Sequence, residues 1–288
     1  MYRLSLFLFC LTLTVPGFAE IRLTDFQQRQ VVLEKPAQRI VALAPHIVEN
    51  TFSAGAGDKL VGVVSFSDYP IAAKNITRIG DYKSWSLETI VALQPDLILM
   101  WGSGNGMNAL SSLEKLGVPV YVSEPRQLRD IADTIRAISR LAGTEAVGEA
   151  EAQRIEQAFD ELEGKYSERR NLSVLYQIWN EPLQTLNGEH LISHAIALCG
   201  GGNIFADAVS LAPKISLESV LYRDPDVIVA SGMGAARPQW LDMWKQYPSL
   251  TAVKNSHLFF VNPDHMQRPT ARILLGTKNL CEQMESAR

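Results

Sequence analysis

The chain's aromatic side chains gather at the ends of its apolar runs. Phe66 and Tyr69 follow the run at residues 61–66. Tyr82 and Trp85 sit in the turn GDYKSWSLE, Trp101 closes the run at 96–101, and Trp179 closes the one at 174–179. The last run, 258–261, leads into Asn262-Pro263-Asp264-His265-Met266-Gln267-Arg268. Flat apolar faces with a few polar groups suit a large planar or macrocyclic ligand. Asp264, His265 and Arg268 would supply the polar contacts. His265 would act as a hydrogen-bonding residue or as an axial ligand to a metallated macrocycle. Trp240 and Trp244, four apart on an expected helix, read as packing residues.

The other histidines carry weaker signals. His190 and His194 stand at i and i+4, a metal-ligand spacing, but only Glu189 accompanies them. No metal site and no cofactor is therefore expected. His46 opens a helical segment and reads as its cap. Nucleophile-elbow, Walker and HExxH motifs are absent. The run Gly102-Ser103-Gly104-Asn105-Gly106 lacks dinucleotide-fingerprint spacing. The chain thus reads as a binder and not an enzyme. A tetrapyrrole chelatase-like enzyme, which also sets His and Glu between two α/β lobes, is the alternative from another class.

Elements that could position these residues follow from the hydrophobic rhythm. Short apolar runs at 39–45, 61–66, 96–101 and 118–122 alternate with amphipathic stretches at 46–56, 87–93 and 107–116. That βαβα order implies a parallel sheet covered on both faces. From 128 to 169 there is no proline, and apolar residues recur at helical spacing, with Gly143-Thr144 as a break and a new N-cap. Two helices are expected there, the second long. Strands at 174–179, 227–230 and 258–261 then resume, with helices at 190–198, 217–222, 239–247 and 270–285.

The sequence also repeats itself at an offset of 130 positions. Ser86-Leu87-Glu88-Thr89-Ile90, Pro95-Asp96 and Gly102…Gly104 recur as Ser216-Leu217-Glu218-Ser219-Val220, Pro225-Asp226 and Gly232…Gly234. Each copy offers an N-cap serine and a first-turn acid, where the helix dipole favours negative charge. Each then offers a strand ending in glycines. The expected fold is α/β: two similar lobes with parallel-rich central sheets, joined by one long helix. The divisions fall at 20–143, 144–170 and 171–288. Ligands of open α/β sheets bind beyond the carboxyl ends of the strands, so the ligand cleft is expected between the lobes.

Composition bounds the rest. At 288 residues, 47% hydrophobic and 20% charged, the chain is too apolar for a disordered protein. It has no series of apolar runs long enough for a polytopic membrane protein. A formal charge of -4 gives no field for nucleic acid. Residues 1–19 read as a secretory signal peptide: one basic residue, the run LSLFLFCLTLTV, Pro16, then Gly17-Phe18-Ala19 before the cut at Glu20. Cleavage removes Arg3 and no acid, taking the charge to -5. It also removes Cys10 and leaves Cys199 and Cys281. An even count in an exported protein suggests one disulfide, with two free buried thiols as the alternative.

The runs RIVALAPHIVENTFSAGAGDKLVGVVSFSDYP, SLETIVALQPDLILMW, ALCGGGNIF and ISLESVLYRDPDVIVASG resemble the periplasmic substrate-binding proteins of iron–siderophore, haem and cobalamin ABC importers. Within that family the likeness is greatest to the cobalamin-binding members. It covers nearly all of the mature chain. The resemblance implies a monomeric periplasmic carrier of a corrinoid, most readily cobalamin, with haem or an iron–siderophore as the alternative. It implies that Glu88 and Glu218 dock on the membrane permease and that Cys199 pairs with Cys281. Phe66, Tyr82 and Trp101 fall on its aromatic pocket positions, and Asp264 and Arg268 on its polar rim. Ala212 and Ile178 stand where that family places aromatics. Tyr82 replaces a usual tryptophan, and His265 replaces another aromatic.

Overall fold

The computed structural model describes residues 20–288 apart from 233 and 235. The segment read as an export signal, residues 1–19, lies outside the described residues. A short hairpin comes first, β1 (Ile21–Thr24) and β2 (Gln30–Leu33). Its strands are only partly buried, which is why no apolar run announces them.

The first lobe then runs through β3 (Ile40–Ala42), α1 (Pro45–Ser53), β4 (Leu60–Val63), α2 (Leu87–Ala92), β5 (Leu97–Trp101), α3 (Gly102–Asn105), α4 (Met107–Glu114) and β6 (Val120–Ser123). The four strands are parallel in the order β4-β3-β5-β6. Next come α5 (Asp130–Ala142) and the long α6 (Glu145–Tyr166). Gly143, at φ +70°, ends α5 in the left-handed region that glycine adopts without a Cβ clash. Thr144 does stand at the N-cap of α6, yet its side chain does not cap. Its hydroxyl donates instead to the Ala54 carbonyl at 2.6 Å, tying the bridge to the end of α1.

The second lobe contains β7 (Leu172–Gln177), β8 (Trp179–Asn180), β9 (Leu183–Gln184), α7 (Leu191–Leu198), β10 (Gly201–Asn203), α8 (Leu217–Arg223), β11 (Val227–Ala230), α9 (Thr251–Lys254), β12 (Leu258–Phe260), α10 (Pro263–Met266) and α11 (Ile273–Ser286). Its main sheet is parallel in the order β10-β7-β11-β12. In both sheets the first strand of the lobe is internal, the second lies at its flank, and the third and fourth extend the other way. The 130-residue repeat is therefore a repeat of structure, α2–β5 matching α8–β11. Ser86 and Ser216 cap their helices as that repeat implies, accepting from the N–H groups of Thr89 at 3.0 Å and Ser219 at 3.2 Å.

One element departs from its expected type. Gln239–Gln246 is a 3-10 helix and not an α-helix. Leu241 and Trp244, its buried residues, are three apart, and a 3-10 helix eclipses residues at that spacing. Trp244 is fully buried and donates its indole N–H to Gln177 Oε1 at 2.8 Å.

The core has three parts. The largest gathers one face of each sheet with side chains of α1, α5, α6, α7 and α11. It runs without interruption from one lobe through the bridging helix into the other. Two smaller clusters cover the opposite faces, one under α2 and α4, the other under α8 and the 3-10 segment. Cys199, at the end of α7, is bonded to Cys281 in α11, with their Cα atoms 4.8 Å apart and a sequence separation of 82. In the chain-entropy model a loop of that length contributes about 4–5 kcal/mol.

Candidate functional site

Loops at the carboxyl ends of both sheets face each other across a cleft. On the first lobe its wall is Trp101, the last residue of β5. The chain then makes the single turn α3, and Asn105 folds back onto three backbone points. Its Oδ1 accepts the Trp101 N–H at 2.6 Å. Its Nδ2 donates to the carbonyls of Leu43 at 2.9 Å and Tyr82 at 2.6 Å. One side chain thereby fixes the end of β5, the segment after β3 and the loop bearing Tyr82. Tyr82 and Trp101 come together with ring centroids 6.1 Å apart. Glu124, after β6, accepts from the Ser103 N–H at 2.6 Å and hydroxyl at 2.9 Å, holding the same turn from the other side.

Behind Trp101 lies His46, its ring edge-on at 5.0 Å. It does not cap α1, whose N-cap is Ala44 without a side-chain bond. His46 is 4% exposed, and burial, aided by the Arg268 charge, pushes its pKa down to about 3. The ring is therefore neutral, and its Nε2 has no partner among the described residues. Capping by histidine occurs instead at α7, where Nδ1 of His190 accepts the Ile192 N–H at 3.1 Å.

The wall contributed by the second lobe is Trp179 in β8. Its indole N–H donates to the Glu181 carbonyl at 2.9 Å, fixing the orientation of the half-buried ring. Trp179 lines a compartment of about 340 Å³ together with Ile178, Gln184, Ala212, His190 and Gln267. The two positions where aromatics were replaced, Ile178 and Ala212, both border this space. A narrower compartment of about 90 Å³ continues toward Trp101 and Glu124, and His190 and Gln267 line that one too.

The remaining aromatics lie outside these two compartments. Phe66 is 74% exposed at φ +63°, a conformation costly for a bulky side chain, so the ring is presented to solvent by its loop. Tyr69 lies over the Arg272 guanidinium at 4.1 Å, in a flanking cavity with Glu49. Trp85 is half-buried and packs against the outer cluster of the first lobe.

Asp264 and His265 lie on the one-turn α10, and Arg268 follows it. Arg268 is taken up in an ion cluster that crosses the lobes. It pairs with Glu49 of α1 at 2.8 Å, Asp68 at 3.1 Å and Asp264 at 3.2 Å. Arg272 grips the same Glu49 through two bonds of 2.8 and 2.6 Å. Burial and the Arg272 charge hold His265 below the ordinary histidine range. Among the described residues, no group of three or more His, Cys, Asp and Glu could hold a metal ion.

Glu88 and Glu218 stand exposed in the first turns of α2 and α8. Neither has an ion-pair partner among the described residues. Glu218 is kept below the usual carboxylate range by backbone N–H at the helix start and by the Ser216 hydroxyl. Exposed apolar side chains accompany them: Leu87 and Val91 beside Glu88, and Tyr222, 90% exposed, one turn on from Glu218.

Asn105, Glu124, Gln267 and Glu49 escape the sequence reading, and His190 enters it only through a metal-ligand spacing with His194. The signals present were thin: an asparagine inside a glycine run, and an acid inside the apolar stretch Ile47-Val48-Glu49.

Two lobes of matched design, a bridging helix and an interlobe cleft walled by aromatics define a binding protein, and residues 40–265 match the model of the periplasmic binding protein family. The chain belongs to that family. It is 37% identical over 253 residues to a vitamin B12-binding protein of Vibrio campbellii, covering 88% of this chain and 91% of the relative. Its structure is similar to that of the periplasmic vitamin B12 binding protein BtuF of Vibrio cholerae, with a TM-score of 0.80 and 36% identity over 88% of this chain and 98% of the other. The periplasmic heme-binding protein RhuT of Roseiflexus sp. RS-1, at 23% identity and a TM-score of 0.75 over 87% and 99% of the two chains, shares the fold.

Proposed function

We propose that the chain captures a corrinoid, cobalamin foremost, in the periplasm and delivers it to the membrane subunits of an ABC importer. The observation that carries this reading is the likeness along 88% of the chain to proteins described as vitamin B12-binding. The cleft supports it chemically. Trp101, Tyr82 and Trp179 offer apolar faces to a macrocycle, and open space replaces aromatics at Ile178 and Ala212. Phe66 and Tyr69, exposed on the loop after β4, would fold over the ligand's edge. Trp85 would set the Tyr82 loop from behind.

Asp264, His265 and Arg268 would meet the ligand's polar substituents at the cleft's lower rim, Arg268 exchanging one carboxylate partner for the ligand. Residues 1–19 would direct export, with cleavage after Ala19 releasing the mature chain. Glu88 and Glu218, paired by the repeat, would each meet a basic group of the permease, one per lobe, with the neighbouring Val91 and Tyr222 packing at the contact. Calorimetric titration with cyanocobalamin tests the reading: binding at micromolar Kd or tighter is expected, and no heat of binding would refute it.

A further inference from the structure

Between the aromatic walls the cleft carries a matched hydrogen-bond donor and acceptor. Nδ1 of His190 accepts the Ile192 N–H. A ring nitrogen that accepts carries no proton, so the neutral imidazole holds its proton on Nε2. Gln267 is oriented by the same logic. Its amide nitrogen donates to the Ser231 carbonyl at 3.0 Å and hydroxyl at 3.1 Å. A carbonyl can only accept, so Oε1 of Gln267 is turned away from Ser231. Both residues line both compartments of the cleft. Among the described residues, neither His190 Nε2 nor Gln267 Oε1 has a protein partner.

We infer that His190 and Gln267 form a clamp for one primary carboxamide of the ligand, His190 donating to the amide oxygen and Gln267 accepting from the NH2. The inference rests on the corrinoid reading and deepens it. A corrin ring is fringed with primary carboxamides, which need one donor and one acceptor. Haem is fringed with carboxylates, which at neutral pH have no hydrogen to give and would set acceptor against acceptor at Gln267 Oε1. The clamp therefore selects an amide-fringed macrocycle over an acid-fringed one of similar size, by leaving the wrong ligand with an unpaired polar contact. The same tautomer makes His190 a poor metal ligand. Coordination through Nε2 would move the proton to Nδ1 and break the cap of α7.

The test is titration of cyanocobalamin into the mature chain and into His190→Asn, Gln267→Met and the double variant. Asparagine keeps an N-cap for α7, and thermal unfolding checks each fold. His190→Ser replaces His190→Asn if the latter melts early. Each single variant is expected to bind about tenfold more weakly, the effect of one good hydrogen bond. The double should lose about 10- to 30-fold, short of the hundredfold product, because either loss already frees the shared amide. Single variants within twofold of wild type, or a full hundredfold loss in the double, would overturn the clamp while leaving the corrinoid reading intact. Failure of the wild type to bind cyanocobalamin would overturn the corrinoid reading itself.

Discussion

Asn105 ties together the three backbone segments around the Trp101 wall. Its amide satisfies a donor and two acceptors on three separate segments. Asn105→Ala should lower unfolding stability by about 1–3 kcal/mol, because those backbone groups lose their partner. It should also weaken cyanocobalamin binding about tenfold by loosening Trp101 against Tyr82. Denaturant unfolding beside a ligand titration checks both, and a variant with unchanged affinity would show that the wall holds itself. His46 and His190 set the acid limit. Burial, first in each case, lowers their pKa values to about 3 and about 4, from 6.5 in the unfolded chain. The unfolded state therefore binds more protons than the fold below pH 6.5, so this stability is complete above that pH and lost as pH falls toward 4. Stability should drop between pH 6.5 and 5 by up to about 1.4 kcal/mol per pH unit for each histidine. Denaturant midpoints across that range check it, and a flat profile would contradict it. At this scale the placement of Trp101 at the end of β5 and of the two repeat glutamates in first helical turns was legible, because each follows from position within one element, whereas Trp179, expected to end β7, lies in β8 beyond it. The roles of Asn105, His190 and Gln267 were not legible. An asparagine in a glycine run signals only a turn, and the other two acquire meaning from opposite sides of a cleft that only folding assembles.

Between elements, α1 and the segment α10–α11 are joined by charge. Glu49 is 2% exposed in its side chain and serves two arginines of the other lobe. Asn50 adds a bond from Nδ2 to the Pro269 carbonyl at 3.0 Å. Removing one partner of such a buried group leaves uncompensated charge, a loss of several kcal/mol. Glu49→Ala should therefore destabilise the chain by about 3 kcal/mol, and Glu49→Ala with Arg272→Met by less than the two single losses added. Chemical denaturation of the four proteins measures this, and strict additivity would contradict a coupled latch. Secondary structure was legible where apolar periodicity was strong: the parallel strands, α5, α6 and α11. It was not where residues carry little pattern. β10 is Gly201-Gly202-Asn203, a strand set by its neighbour β7 and not by propensity. The 3-10 geometry of Gln239–Gln246 depends on which side chains its burial selects.

For the molecule as a whole, one core runs through both lobes and the bridge, and an ion latch and a disulfide reinforce it. Glu88 and Glu218 stand one on each lobe of that body, each in the first turn of its helix. Glu88→Ala with Glu218→Ala should leave corrinoid affinity unchanged and cut uptake in a reconstituted importer severalfold or more. Equal loss of binding and uptake would contradict docking as their role. The two-lobe plan was legible through the 130-residue repeat, since both copies obey one α/β grammar. The cross-lobe contacts were not, because nothing in local sequence encodes which loops will meet. The central claim is tested most directly by calorimetric titration of the mature chain with cyanocobalamin and, in parallel, with haemin. One cyanocobalamin should bind per chain at micromolar Kd or tighter, with haemin at least tenfold weaker. Haemin binding as tight or tighter, or no cyanocobalamin binding, would contradict it.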